Sequence, residues 1–97
     1  SLIIKFQRLA PIYYDDNLQI ISAEYIGARR WNLIIKDRLK VKLPEKDYFS
    51  AIKNLNKLLN KLEDFDYSTI EFIDLRLPKK AIIRFYNNDE IDFLNEL

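Results

Sequence analysis

The sequence predicts an α+β domain: a mainly antiparallel sheet covered by one amphipathic helix, in the order α-β-β-β-α-β-β. Three observations carry this expectation. In LKVKL, Leu39, Val41 and Leu43 alternate with Lys40 and Lys42, the period-two pattern of a strand with one wet face. From Tyr48 to Leu62, apolar residues recur every three or four positions. Between such runs stand Gly27, Pro44 and Pro78, residues that end elements rather than continue them.

The elements follow in order along one domain, 1–97. Segment 1–18 carries Leu2, Ile3, Phe6, Leu9 and Ile12 at near-helical spacing, and Pro11 is expected to break it because proline lacks a backbone donor. Three strands are expected over 20–43. Ile20 to Ile26 reads as the first, ended by Gly27, which takes a positive φ at no steric cost. In RWNLIIK, Trp31, Leu33 and Ile35 share one face, opposite Asn32, Ile34 and Lys36. A turn at Asp37-Arg38 then leads into the Leu39–Leu43 strand, closed by Pro44.

Over 46–63 the helical stripe is Tyr48, Ile52, Leu55, Leu59 and Leu62, widened by Phe49, Ala51 and Leu58. Lysines and asparagines cover its other side, so it must lie on a sheet. Ile70 to Leu77 and Ala81 to Tyr86 form a terminal hairpin around Pro78-Lys79-Lys80. Residues 87–97 are expected to be an acidic tail or a frayed helix. On this reading Ala81 to Phe85 is the last strand, with nothing after it to pair.

Composition narrows the function classes. The 97 residues are 48% hydrophobic and 32% charged, the balance of a folded domain with a modest core. A net charge of +1 offers no whole-molecule attraction to nucleic acid or anionic lipid. No run approaches the ~20 apolar residues of a membrane helix. The start at Ser1, with no leader pattern, reads as an excised domain. Cysteine and histidine are absent, so there is no thiol nucleophile, no disulfide and no imidazole for acid/base or zinc chemistry. The expectation is a non-enzymatic protein with no cofactor and no metal. Asp15-Asp16, Glu63-Asp64-Asp66 and Asp89-Glu90-Asp92 lack calcium-loop spacing and read as solvated or capping carboxylates.

Two surfaces carry functional readings. Lys36, Arg38, Lys40 and Lys42 form a basic hairpin able in principle to track phosphates, the alternative being a nucleic-acid-binding module. No stacking aromatic is interleaved on that face, since Trp31 points the other way, and a solvated strand face is the plainer account. The other surface is the end of the sheet. Asp74 and Arg76 share a strand face as an i, i+2 charge pair, and Ala81-Ile82-Ile83 is apolar on both faces. An unpaired late strand offers its main chain to another protein, with Arg76 close by to set register. Arg29 and Arg30, before Trp31, present planar donors either to carboxylates of the domain or to a partner.

ARRWNLIIKDRLKVKLPEKD, then the helix, then FIDLRLPKKAIIRF resembles the C-terminal β-domain of the FtsQ/DivIB cell-division family, most closely its α-proteobacterial branch. The resemblance runs over roughly residues 20 to 86. It implies a single-pass inner-membrane protein, with this domain in the periplasm at the septum and the membrane helix and POTRA domain outside this chain. It also implies a non-enzymatic scaffold that binds FtsB and FtsL and helps control septal peptidoglycan synthesis by FtsW and FtsI. In the family FtsB adds a strand to the last strand. Carried over by position, the partner site is Arg76, Leu77, Lys79 and Lys80, the strand Ala81, Ile82, Ile83, Arg84 and Phe85, and the upstream pair Arg29 and Arg30. Leu77 stands where the family can use tyrosine, and Pro78-Lys79-Lys80 where it has a more flexible turn. Two expectations follow: Arg76→Glu weakens partner binding at little cost in stability, and an exposed sheet edge lets the isolated chain dimerise.

Overall fold

In a computed structural model, residues 18–64, 66–77 and 79–94 are described. The expected N-terminal helical segment lies outside them. The elements are β1 (Ile20–Ile26), β2 (Arg30–Ile35), β3 (Leu39–Lys42), α1 (Tyr48–Lys61), a single 3₁₀ turn (Tyr67–Thr69), β4 (Ile70–Asp74), β5 (Lys80–Phe85) and β6 (Glu90–Leu94). They form one six-stranded sheet in sequence order. Every neighbouring pair is antiparallel except β3 and β4, which run parallel and are joined through α1. A parallel pair needs a crossover connection, and the helix supplies it. The α+β expectation holds.

Alternation builds the core. Leu33, Ile35, Leu39, Val41, Ile73 and Ile83 are buried on the face that α1 covers with Ala51, Ile52, Leu55, Leu58 and Leu59. Fully burying one such side chain contributes about 1.5–3 kcal/mol before entropy is subtracted. Trp31 belongs to this core, its ring centroid 4.9 Å from that of Tyr25 on the neighbouring strand. Phe49 does not: it is 54% exposed. At roughly 100° per residue it stands about 120° from the centre of the buried stripe, too far round to reach the sheet.

The turns explain the boundaries. Gly27 and Ala28 both have positive φ (59° and 54°), and Arg29 donates its N–H to the Ile26 carbonyl at 3.1 Å, as a tight hairpin turn requires. Between β2 and β3 the left-handed residues are Lys36 and Asp37, one position before the expected Asp37-Arg38.

The larger correction concerns the C-terminal end. Ala81 to Phe85 is not the last strand. Beyond a turn at Tyr86–Asp89, with Asn88 at φ 73°, residues 90–94 form β6 and pair antiparallel with β5 from Lys80↔Leu94 to Arg84↔Glu90. The tail-or-helix expectation therefore fails for 90–94. Asparagine tolerates the left-handed turn, and the acidic side chains of β6 meet basic ones on β5. The alternation Glu90-Ile91-Asp92-Phe93 after Asn87-Asn88-Asp89 is a local strand signal, whereas its pairing with β5 is tertiary.

Candidate functional site

The sheet face turned away from α1 has no described helix or strand over it. On it, register places Asn32 beside Lys42 and Lys42 beside Asp74. Arg76 follows β4 and turns back onto Asp74: its Nε donates to Asp74 Oδ1 at 2.9 Å and its terminal nitrogen to Oδ2 at 2.6 Å. The Arg76 backbone N–H also donates to Oδ1, at 3.0 Å, so the carboxylate fixes both the side chain and the chain path out of the strand. Arg30 donates to the Oδ1 of Asn32, which is buried beneath this cluster.

The electrostatics describe a cationic patch built around one carboxylate. Burial works to raise the pKa of Asp74. The hydrogen bonds from Arg76, together with the charges of Arg76 and Lys42, outweigh it and lower the pKa overall. Hydrogen bonding to Asp74 raises the pKa of Arg76 against its partial burial. Arg30 and Lys42 are both lowered, first by desolvation and then by the positive charge of Arg76. Arg30, Lys42 and Arg76 thus feel one another across three strands.

Of the residues singled out from the sequence, the structure brings Arg30 and Arg76 into this patch and leaves Arg29 exposed in the β1–β2 turn. Lys42 stands on the β2–β3 hairpin, as the pattern predicts, and belongs to the Asp74 cluster as well. Its ammonium also lies 3.8 Å from the centroid of Phe72, with Arg84 5.7 Å away on the same ring. An aromatic side chain does stand among these cations, contrary to the expectation for that face. It comes from β4, beside Lys40, and only the parallel β3–β4 pairing reveals it.

Arg76, Leu77, Lys79 and Lys80 come together elsewhere as well. They line one side of a groove of about 500 Å³, whose other side is Pro44, Glu45, Lys46 and Asp47, just before α1. Leu77 is 54% exposed there, an apolar side chain among charged ones. Ala81 and Ile83 lie in the core and Ile82 and Arg84 on the opposite face; β5 is paired with β4 on one side and β6 on the other, so it presents no free main-chain edge. The low stability cost expected of Arg76→Glu also changes. A glutamate at 76 would set two carboxylates together where a bidentate ion pair now sits.

The architecture and the patch define a class: a small α+β sheet domain with a cationic patch, built around Asp74, on the sheet face away from α1. The chain belongs to the FtsQ/DivIB family of cell-division proteins, since the family model described as "Cell division protein FtsQ/DivIB, C-terminal" matches residues 2–76. Among curated relatives, the cell division protein FtsQ of Bradyrhizobium diazoefficiens is 36% identical over 79 residues, covering 81% of this chain and 23% of that protein. Its namesake in Rickettsia prowazekii is 38% identical over 88 residues (89% and 30%), and that in Dinoroseobacter shibae 30% over 87 (90% and 29%). The chain spans less than a third of the length of these relatives. No solved structure matches significantly. Among the described residues, no helix is long and apolar enough to cross a membrane.

Proposed function

We propose that this chain is a non-enzymatic scaffold domain of the division machinery. It binds an FtsB-like partner by strand addition at the C-terminal end of its sheet, with the Arg76–Leu77–Lys79–Lys80 groove receiving the flanking part of the partner. The observation that supports this most is the meeting of two features at one place. The groove contains Lys80, the first residue of β5, and β5 and β6 form the end of the sheet. Main-chain pairing supplies affinity in such recognition, and the adjoining side-chain pocket supplies specificity. The cationic patch of Arg30, Lys42 and Arg76 lies next to that groove and suits acidic side chains of the partner.

In this reading FtsB and FtsL link the domain to FtsW and FtsI, and so to septal peptidoglycan synthesis. The domain works on the periplasmic face of the inner membrane, held there by a helix outside these 97 residues. The test is calorimetric titration of the chain with the periplasmic segment of the FtsB-like protein of the same genome. Leu77→Asp alters an exposed side chain, so the fold stays intact, and binding is expected to weaken about tenfold or more. Unchanged affinity would remove the groove from the site, and no binding by the parent chain would refute the assignment.

A further inference from the structure

β6 differs in kind from the strand it covers. Beneath it, β5 is anchored in the core by Ala81 and Ile83, both fully buried. In β6, Glu90, Ile91 and Asp92 are all exposed. Among the described side chains of β6, two are tied to β5 by charge: Glu90 to Arg84, and Asp92 Oδ2 to Lys80 Nζ at 3.0 Å. Both ion pairs are open to solvent, and such pairs hold weakly. An edge strand, paired on one side only and bearing solvent-exposed ion pairs, opens more readily than a strand held between two neighbours. When β6 leaves, the β5 edge exposes its donors and acceptors with Lys80 and Arg84 beside them, a row that selects an acidic strand.

We propose that β6 is an exchangeable strand. It occupies from within the chain a strand-receiving edge on β5, and an extended acidic segment of a partner protein, with carboxylates two residues apart, takes its place. This rests on the strand-addition reading above and makes it specific: the receiving strand is β5, and the chain carries its own competitor.

The chain contains no cysteine, so an engineered pair forms a single defined disulfide. Ile82 and Asp92 face each other across β5 and β6. In an antiparallel ladder, bonded and non-bonded pairs alternate. Phe85 donates its N–H to the Asp89 carbonyl, which makes 82 and 92 a non-bonded pair, the closer kind. In the Ile82→Cys/Asp92→Cys variant the oxidised chain holds β6 in place and the reduced chain releases it. The probe is a labelled synthetic peptide with the sequence of residues 87–94, followed by fluorescence anisotropy.

The reduced variant is expected to bind the peptide at least about tenfold more tightly than the oxidised one, because the lock removes the competent state. A peptide with lysine in place of both Glu90 and Asp92 is expected to bind about tenfold more weakly than the native one. In the unmodified chain, amides of 90–94 are expected to exchange with solvent well before those of 81–83. Equal binding by the two redox forms, no binding by the reduced form, or uniform exchange across β5 and β6 would each overturn the proposal. Because the probe is the chain's own strand, peptide exchange without capture of an FtsB-like segment refutes only the partner. Capture of that segment by the locked chain refutes only the exchange.

Discussion

Asp74→Asn tests whether the cationic patch is organised as described. The substitution keeps the shape and an oxygen able to accept the Arg76 backbone N–H, and removes the charge. Asp74 holds Arg76 through side-chain contacts of 2.9 and 2.6 Å, with the carboxylate side chain 13% exposed and the guanidinium 45%. Hydrogen bonds to charged groups contribute about 1.5–3 kcal/mol when well shielded. The half-exposed arginine brings that down toward the value of a surface pair, below about 1 kcal/mol. Loss of the anion also leaves Arg30, Lys42 and Arg76 repelling one another with no charge between them. Together a loss of about 1–2 kcal/mol is expected at pH 7, and for a domain of this size each kcal/mol lowers the melting temperature by roughly 4–8 °C.

The pH dependence gives the same experiment a second arm. The Asp74 carboxyl has a lowered pKa in the fold, so the unfolded chain takes up the proton first as acid is added. The stability it contributes is complete above the unfolded value of about 3.9 and is lost as pH falls through the lower folded value. The gap between parent and variant in urea melts should be full at pH 7 and should narrow once pH drops below about 4. A variant as stable as its parent at pH 7, or a gap that persists unchanged into acid, would refute the account of this cluster.

Leu55→Ala is expected to cost about 2–5 kcal/mol in urea melts, because Leu55 is fully buried between α1 and the sheet; a loss under about 1 kcal/mol would mean that the helix is not packed there. Gly27→Ala should cost about 1 kcal/mol although nothing lies within 4 Å of the added methyl, since the penalty comes from φ +59° and not from a clash; a neutral result in thermal melts would show that the turn relaxes to another conformation.

Periodicity is a local signal, and the elements it reported are those whose neighbours in sequence share their environment. Leu39, Val41 and Leu43 alternate because one side of the strand faces α1, and the spacing from Ile52 to Leu62 follows because one side of the helix faces the sheet. Gly27 was legible as a strand end for the same reason, since its left-handed φ is a property of one residue. The family resemblance likewise rests on short contiguous runs, and the family match covers those upstream of the last two strands.

The functional surface needed pairing between distant segments. Lys42 and Asp74 are 32 positions apart and become neighbours only through the parallel β3–β4 ladder, which also carries Phe72 in among the lysines. Residues 90–94 carry two carboxylates, a residue type depleted in strands, yet Glu90-Ile91-Asp92-Phe93 alternates polar and apolar side chains, a short strand signal that the tail-or-helix reading passes over. They form a strand because Lys80 and Arg84 on β5 neutralise that charge and the β5 edge supplies the hydrogen bonds. Side-chain pattern can tell a chain which face of a strand to bury. Which strand lies beside it, and so whether an edge is open or already filled, is settled by contacts that no window of neighbouring residues contains.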